Sequence, residues 1–162
     1  VQTCALPIYS IPCIIEPVSI PKAKKLAEMD LSNLFLVTPN EVELSSIQSI
    51  ASEPGLKGMI NALLARGVQH VWLRQGENGS TIYDKNSHFS LHAPAVNVID
   101  TTGAGDAALA GWVHGFVHKK STTDKIRYGH TLAALVLQQK GTIVKGLTAE
   151  KLEEEVNRLF PN

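Results

Sequence analysis

The residues whose types and spacing could do chemistry lie in one run, Asn97-Val98-Ile99-Asp100-Thr101-Thr102-Gly103-Ala104-Gly105-Asp106-Ala107-Ala108-Leu109-Ala110-Gly111. It reads as a β segment that passes through a turn of small residues directly into a helix. A helix N-terminus carries backbone N–H groups without intrahelical acceptors and about half a positive charge, so it attracts anions. Gly103 and Gly105 let the backbone approach a bound phosphate closely, and Ala104 adds little bulk. A loop that only bound phosphate would gain nothing from Asp106, whose carboxylate falls in the same first turn. An acid held beside a stabilised anion can take the proton of an attacking hydroxyl while the amides offset charge on a transferred phosphoryl group. Two other readings fit the same spacing. Asp106 could cap the helix, with the glycines present for tight packing. Gly103-x-Gly105-x-x-Ala108 also satisfies a relaxed dinucleotide fingerprint, although Asp106 would then face the pyrophosphate. A Walker A loop is excluded, because no Gly-Lys-Ser/Thr follows the glycines.

The elements that must position this turn follow from the hydrophobic pattern. From residue 11 onward, short apolar runs alternate with helix-like stretches, the order of a βα-repeating fold. Strands are predicted at 11–16, 34–37, 71–74, 81–83, 88–92 and 96–99, and helices at 20–29, 39–50, 54–66, 104–117, 121–139 and 149–159. Thr38-Pro39-Asn40-Glu41 marks a helix start, with Thr38 as N-cap, Pro39 at the first helical position and Glu41 closing a capping box. Gly67 ends helix 54–66 through a positive φ, and Gly76, Asn78 and Gly79 turn the chain into the next strand. Residues 104–117 are small and apolar on every side, as in a helix buried between layers. Ser121 with Asp124 begins the next helix and Gly141 terminates it. Thr148 caps the last helix, whose Leu152, Val156 and Leu159 face the core while Lys151, Glu153 and Glu154 face water. His114, His118, Trp72 and Trp112 read as packing residues. Together these give an α/β domain with a mostly parallel sheet flanked by helices. Residues 1–10 carry no usable pattern, which leaves 11–162 as one domain.

Composition narrows the partners. A chain of 162 residues, 44% hydrophobic and 19% charged, can fill the core of one domain. Fifteen Lys and Arg balance fifteen Asp and Glu, so nothing suggests a basic footprint for nucleic acid or an anionic membrane. The longest apolar runs, such as residues 132–137, fall far short of the roughly 20 residues that span a bilayer. Cys4 and Cys13 have neither a second pair nor a His at ligand spacing, and the first residues lack a cationic segment and a long apolar one. Reduced thiols in a cytoplasmic protein are expected.

The heptapeptide Asp100-Thr-Thr-Gly-Ala-Gly-Asp106 resembles the C-terminal signature of the PfkB, or ribokinase-like, carbohydrate kinase family. Thr38-Pro39-Asn40-Glu41-Val42-Glu43 is similar to the family's Asn-x-x-Glu motif, and Leu73-Arg74-Gln75-Gly76-Glu77-Asn78-Gly79 resembles its nucleotide-site strand and turn. The resemblance covers about residues 11–160. It implies that Asp106 is the catalytic base, that Gly103, Ala104 and Gly105 form the anion hole, and that Asn40 and Glu43 act near magnesium and the phosphates of ATP through water. Asn40 and Glu43, three apart, would share a face of helix 39–50, where hard oxygen ligands suit a magnesium ion that keeps most of its waters. Without the resemblance they read as a solvated helix turn. It further implies nucleotide contacts at Gly76 and Gly79, which otherwise read as hairpin glycines, and potassium near Asp100 and Thr102. Arg74 either reaches a phosphate or is solvated. His130 occupies an adenine-pocket position or is a helix-surface histidine.

Members of this family are typically about twice as long, and the sugar pocket and a small β lid come chiefly from an N-terminal half that this sequence lacks. The expected acceptor is a primary hydroxyl of a sugar or nucleoside, phosphorylated by ATP with magnesium. Glu16-Pro17-Val18-Ser19-Ile20-Pro21-Lys22-Ala23 resembles the corresponding segment of pseudouridine kinases and favours pseudouridine. An apolar sheet edge left by the missing half is expected to promote self-association or a homodimer. The alternative function is a non-catalytic nucleotide-binding or interaction module.

Overall fold

The computed structural model describes residues 11–161, which form two compact units. One comprises the chain up to Gly76 together with Ser80–Ser90, and the other Glu77–Gly79 together with the chain from Leu91.

The first unit carries β1 (Ile14–Ile15), α1 (Ile20–Lys25), β2 (Leu36–Val37), α2 (Glu41–Ser45), α3 (Gly55–Ala65), β3 (His70–Arg74), β4 (Ser80–Tyr83) and nearly all of β5 (His88–Leu91). The sheet order is β1-β2-β3-β4-β5. The first three strands run parallel, with Ile14 opposite Leu36, Ile15 opposite Val37 and Val37 opposite Val71. β4 is antiparallel to β3, with Trp72 opposite Ile82, so the sheet is mixed. Its parallel part is the apolar part: Leu36, Val37, Val71, Trp72 and Leu73 are buried, as strands covered on both faces require. Leu26 of the loop after α1, Leu44 of α2 and Leu63 of α3 close the same core around Leu34 and Val68. Cys13 is a buried thiol at its margin, and Cys4 lies outside the described residues.

Two predicted helices come out shorter, each for a local reason. The first helix stops at Lys25 rather than 29. Arg66 donates to the carbonyls of Leu26 (3.1 Å) and Met29 (2.7 Å), meeting acceptors that a continuing helix would have used. The helix predicted over 39–50 reduces to Glu41–Ser45 and a separate 3₁₀ turn at Gln48–Ile50. Thr38 is not its cap: its N–H still pairs with Ile15 as an extension of the strand (2.9 Å), and the Pro39 carbonyl accepts from Arg74 (3.0 Å). The helix ends early where the hydroxyls of Ser45 and Ser46 bond back to the carbonyls of Glu41 and Glu43, a bond that competes with continuation. Gly67 terminates α3 with φ +104° as expected.

The second unit is built on α4 (Ala104–Val117), α5 (Thr122–Leu137) and α6 (Ala149–Leu159). Ser121 caps α5 through the Asp124 N–H (3.1 Å), and Thr148 caps α6 through the Lys151 N–H (3.3 Å). α4 is not apolar-buried all round. Ala107, Ala108, Gly111, Trp112 and Gly115 are buried, whereas Ala110 and Val117 are exposed. The glycines explain the pattern, because a Cβ on Gly111 would lie 2.3 Å from the Tyr128 carbonyl oxygen, so the small residues are there for close approach to α5. The His114 and His118 rings lie 4.3 Å apart, tilted by 32°, and His114 meets the Tyr128 ring at 5.2 Å, consistent with packing. The segment 96–99 is not a strand. Val98 and Ile99 are half exposed, and the Ile99 N–H donates to the carbonyl of Leu137 at the end of α5 (2.7 Å), so its apolar residues find a helix terminus rather than a strand partner.

Candidate functional site

In the second unit the turn before α4 is set by Gly103, the N-cap, at φ +80°. A Cβ there would sit 2.5 Å from Thr142 Cγ2, so both conformation and space require glycine. Asp100 shapes the approach: one carboxylate oxygen accepts from the Thr102 N–H (2.9 Å) and the other from the Gly141 N–H (3.5 Å). The backbone bond from Thr102, then the Thr102 side chain and the Gly141 amide, hold this carboxyl below its usual range. The Ala104 N–H turns back to the carbonyl of Thr101 (3.3 Å). The N–H groups of Gly103, Gly105 and Asp106 have no acceptor among the described residues. Of the three positions expected to form the anion hole, two therefore present amides and Ala104 supplies the lack of bulk.

Asp106 is the third residue of α4 and is exposed. Among the described residues no side chain hydrogen-bonds to the α4 N-terminus, so Asp106 does not cap the helix it sits on. The capping alternative fails for that reason, and a carboxylate remains in the field of the free amides with no structural duty there.

His130, on α5, is buried rather than on the helix surface. Burial pushes its imidazole down to about 4, partly opposed by a hydrogen bond to the His92 backbone. Gly79, at φ +94°, packs against the same segment, since a Cβ there would meet Leu91 O at 2.1 Å and Ala93 N at 2.7 Å. The structure thus brings two of the expected nucleotide-side residues, Gly79 and His130, to one stretch of backbone, residues 91–93. In the unfolded chain His130 would titrate near its ordinary value, so between that pH and 4 the unfolded state binds the extra proton. Stability should be level above neutral pH and fall by about 2 kcal/mol between about pH 7 and 5 from this group alone. Denaturation midpoints against pH for the parent and His130→Phe check this; the variant should lose that part of the slope, and parallel curves would contradict the assignment.

Space at Gly103 makes a second prediction. Gly103→Ala combines a left-handed alanine with a clash against Thr142 and should cost about 2–4 kcal/mol. Adding Thr142→Ala should recover part of that loss in chemical denaturation, because the backbone conformation still disfavours a side chain.

In the first unit the structure brings together Asn40, Glu43 and Arg74. Asn40 Oδ1 accepts from the Glu43 N–H (2.8 Å), and Glu43 Oε2 accepts from the Asn40 N–H (2.9 Å), a capping box two residues later than the expected one. Glu43 is buried and Asn40 exposed. Arg74 is neither solvated nor directed outward: Nη1 pairs with Glu16 at 2.7 Å, Nη2 donates to the Thr38 carbonyl at 2.9 Å, and Glu43 Oε2 lies 4.0 Å away. Glu16 is the residue that sequence reasoning missed in this role. Its type and its position after an apolar run were visible, but nothing local signals a partner 58 residues on. Gly76 begins a 3₁₀ turn at φ +58° with open space around it, consistent with the predicted hairpin glycine.

Among the described residues no group of three or more His, Cys, Asp or Glu is arranged to hold a metal ion, and no helix is long and apolar enough to cross a membrane. Magnesium does not need such a cage, since it is usually held by one or two carboxylates, water and substrate phosphates. With Asn40 Oδ1 and Glu43 Oε2 engaged in the cap, the residues fit contact through water better than direct ligation.

A mixed α/β sheet whose chain later enters a helix through Asp-Thr-Thr-Gly-Ala-Gly-Asp defines a ribokinase-like fold. The sequence matches the pfkB family carbohydrate kinase model over residues 8–149, and the chain belongs to that family. It is 33% identical over 128 residues to 2-dehydro-3-deoxygluconokinase of Haemophilus influenzae, covering 77% of this chain and 39% of that protein. It is 30% identical over 140 residues to ribokinase of Staphylococcus aureus, covering 85% and 45%. The structure of Arabidopsis thaliana ribokinase complexed with ribose and ATP superposes with a TM-score of 0.76 at 24% identity, over 94% of this chain and 49% of that one. The chain spans less than half the length of each of these relatives.

Proposed function

We propose that this chain carries the base, the anion hole and much of the nucleotide site of an ATP-dependent kinase acting on a primary hydroxyl of a sugar or nucleoside. The observation that carries the reading is Asp106, an exposed acid in the first turn of α4 that does not cap the helix and lies beside the unpartnered amides of Gly103 and Gly105. In this reaction Asp106 takes the proton of the acceptor hydroxyl, and the hydroxyl oxygen attacks the γ-phosphoryl of ATP in line as the bond to the β,γ-bridging oxygen breaks and ADP leaves. The amides offset the charge that develops on the transferred group. In this reading Gly79 and His130 border the nucleotide. Magnesium, when bound, would neutralise phosphate charge, with Asn40 and Glu43 holding its water shell. A monovalent cation such as potassium would lie near Asp100 and Thr102, whose carboxylate is kept ionised by backbone amides.

Pseudouridine is the favoured acceptor, on the Glu16-Pro17-Val18-Ser19 segment. The protein is cytoplasmic in this reading, with neither nucleic acid nor membrane as a partner, and the outer edge of β1 supports self-association. Phosphate transfer from labelled ATP by the full-length parent, with ribose, fructose, 2-dehydro-3-deoxygluconate and pseudouridine as acceptors, tests it. Fastest transfer to pseudouridine is expected, and faster transfer to another acceptor overturns that specificity. ATP binding without transfer to any acceptor supports the non-catalytic module instead.

A further inference from the structure

We infer that Arg74 is a positioning residue for the nucleotide side of this site, an inference that rests on the kinase reading above. Glu16 follows the carboxyl end of β1, Thr38 and Asn40 follow that of β2, and Arg74 ends β3. The three strands are parallel neighbours, and in open α/β sheets ligands bind beyond the carboxyl ends of such strands. The Arg74 guanidinium spans all three ends, with one nitrogen on Glu16 (2.7 Å) and the other on the Thr38 carbonyl (2.9 Å). Its backbone continues the tie, through its N–H to Pro39 (3.0 Å) and a parallel bridge to Asn40.

Stability alone does not account for this arrangement. The side chains of Arg74, Glu16 and Glu43 are only 14%, 12% and 6% exposed, so two carboxylates share one guanidinium largely shielded from bulk water. Apolar residues of similar volume would often be as stable or more so. What they would lack is the planar fork, whose fixed directions orient two groups at once. Two residues past Glu16, Val18 adopts φ +64°, a costly conformation for a β-branched residue that the surrounding structure must impose. The loop after β1 is therefore held in a shape it would not take alone, and the Glu16–Arg74 pair ties its start to the strand end beside the Asn40–Glu43 cap. Removing the fork should loosen the cap and misplace Asn40 and Glu43, the two side chains to which the kinase reading gives the magnesium water shell.

The test uses the full-length protein and two variants. Arg74→Met with Glu16→Gln removes the 2.7 Å ion pair as a unit while Glu43 keeps the bond from the Asn40 N–H (2.9 Å), so the melting temperature should stay near that of the parent. Arg74→Lys keeps one charge but cannot serve Glu16 and Thr38 together. In the double variant, hydrogen exchange at the Asn40 and Glu43 amides should speed up about tenfold or more. Calorimetric affinity for magnesium-ATP should weaken by about tenfold, with Arg74→Lys intermediate in both. Unchanged exchange in a folded variant overturns the inference, as does faster exchange with nucleotide affinity within about twofold of the parent. Should the double variant not fold, Arg74→Lys decides by the same two readouts. If the parent itself does not bind magnesium-ATP, the kinase reading fails, and the exchange result still decides whether Arg74 holds the cap.

Discussion

Replacing Asp106 by Asn in the full-length parent should lower phosphoryl transfer by about 10²–10⁴ while leaving ATP affinity within about twofold. Asn has nearly the shape of Asp but cannot accept the hydroxyl proton at neutral pH. Because Asp106 is exposed and does not cap α4, its replacement removes no bond that the helix needs. The melting temperature should therefore be unchanged, and the loss should fall on kcat rather than on KM for ATP. A retained turnover would show that Asp106 is not the base. A loss matched by a falling melting temperature would show that the carboxylate was structural after all. Steady-state kinetics, nucleotide titration and thermal melting on the same preparation separate these outcomes.

The second large effect is expected at Gly111, remote from any chemistry. Gly111→Ala would place a methyl group 2.3 Å from the Tyr128 oxygen, 2.7 Å from its carbonyl carbon and 2.9 Å from Gly129 Cα. All three are backbone atoms, so no side chain can move aside. α4 and α5 would have to separate, and overpacking of this kind costs about 1–3 kcal/mol or more. The gain in helix propensity from Gly to Ala, at most about 1 kcal/mol, offsets only part of it. A net loss of about 2 kcal/mol or more is expected in denaturation experiments. Gly115→Ala is the internal comparison. Its Cβ would meet Lys125 Cα at 3.0 Å and the flexible Lys125 Cγ at 3.2 Å, so the neighbours need give only slightly, and the change should lie within about 1 kcal/mol. Equal effects at the two glycines would contradict the close approach described here. Because α4 also carries Asp106 at its start, Gly111→Ala should depress activity beyond what the remaining folded fraction explains.

The capping box after β2 shows what local pattern can and cannot resolve. Thr38-x-x-Glu41 and Asn40-x-x-Glu43 both have the right residues at the right spacing. The choice between them falls to Ile15 and Arg74, whose pairing keeps residues 38 and 39 in the strand and moves the helix start to Asn40. Residues 96–99 show the same limit, because their β-like composition was legible while the lack of a strand partner was not. Arg74 illustrates it for a charge. Its type was evident, but solvation or phosphate contact was all that local reading could offer, since Glu16 follows another strand far away in sequence.

By itself the sequence determined the α/β class, the positions of α4 and α6, the caps at Ser121 and Thr148, and the run from Asp100 to Asp106. These depend on contacts within a few residues, where spacing and side-chain chemistry suffice. The tertiary structure alone decided that α4 owes its small residues to α5, that His130 is buried against the 91–93 segment, and that Glu16, Arg74 and the Asn40–Glu43 cap form one cluster. Each of those depends on which distant backbone comes within van der Waals or hydrogen-bond range, and that is set by strand order and helix packing rather than by any local pattern.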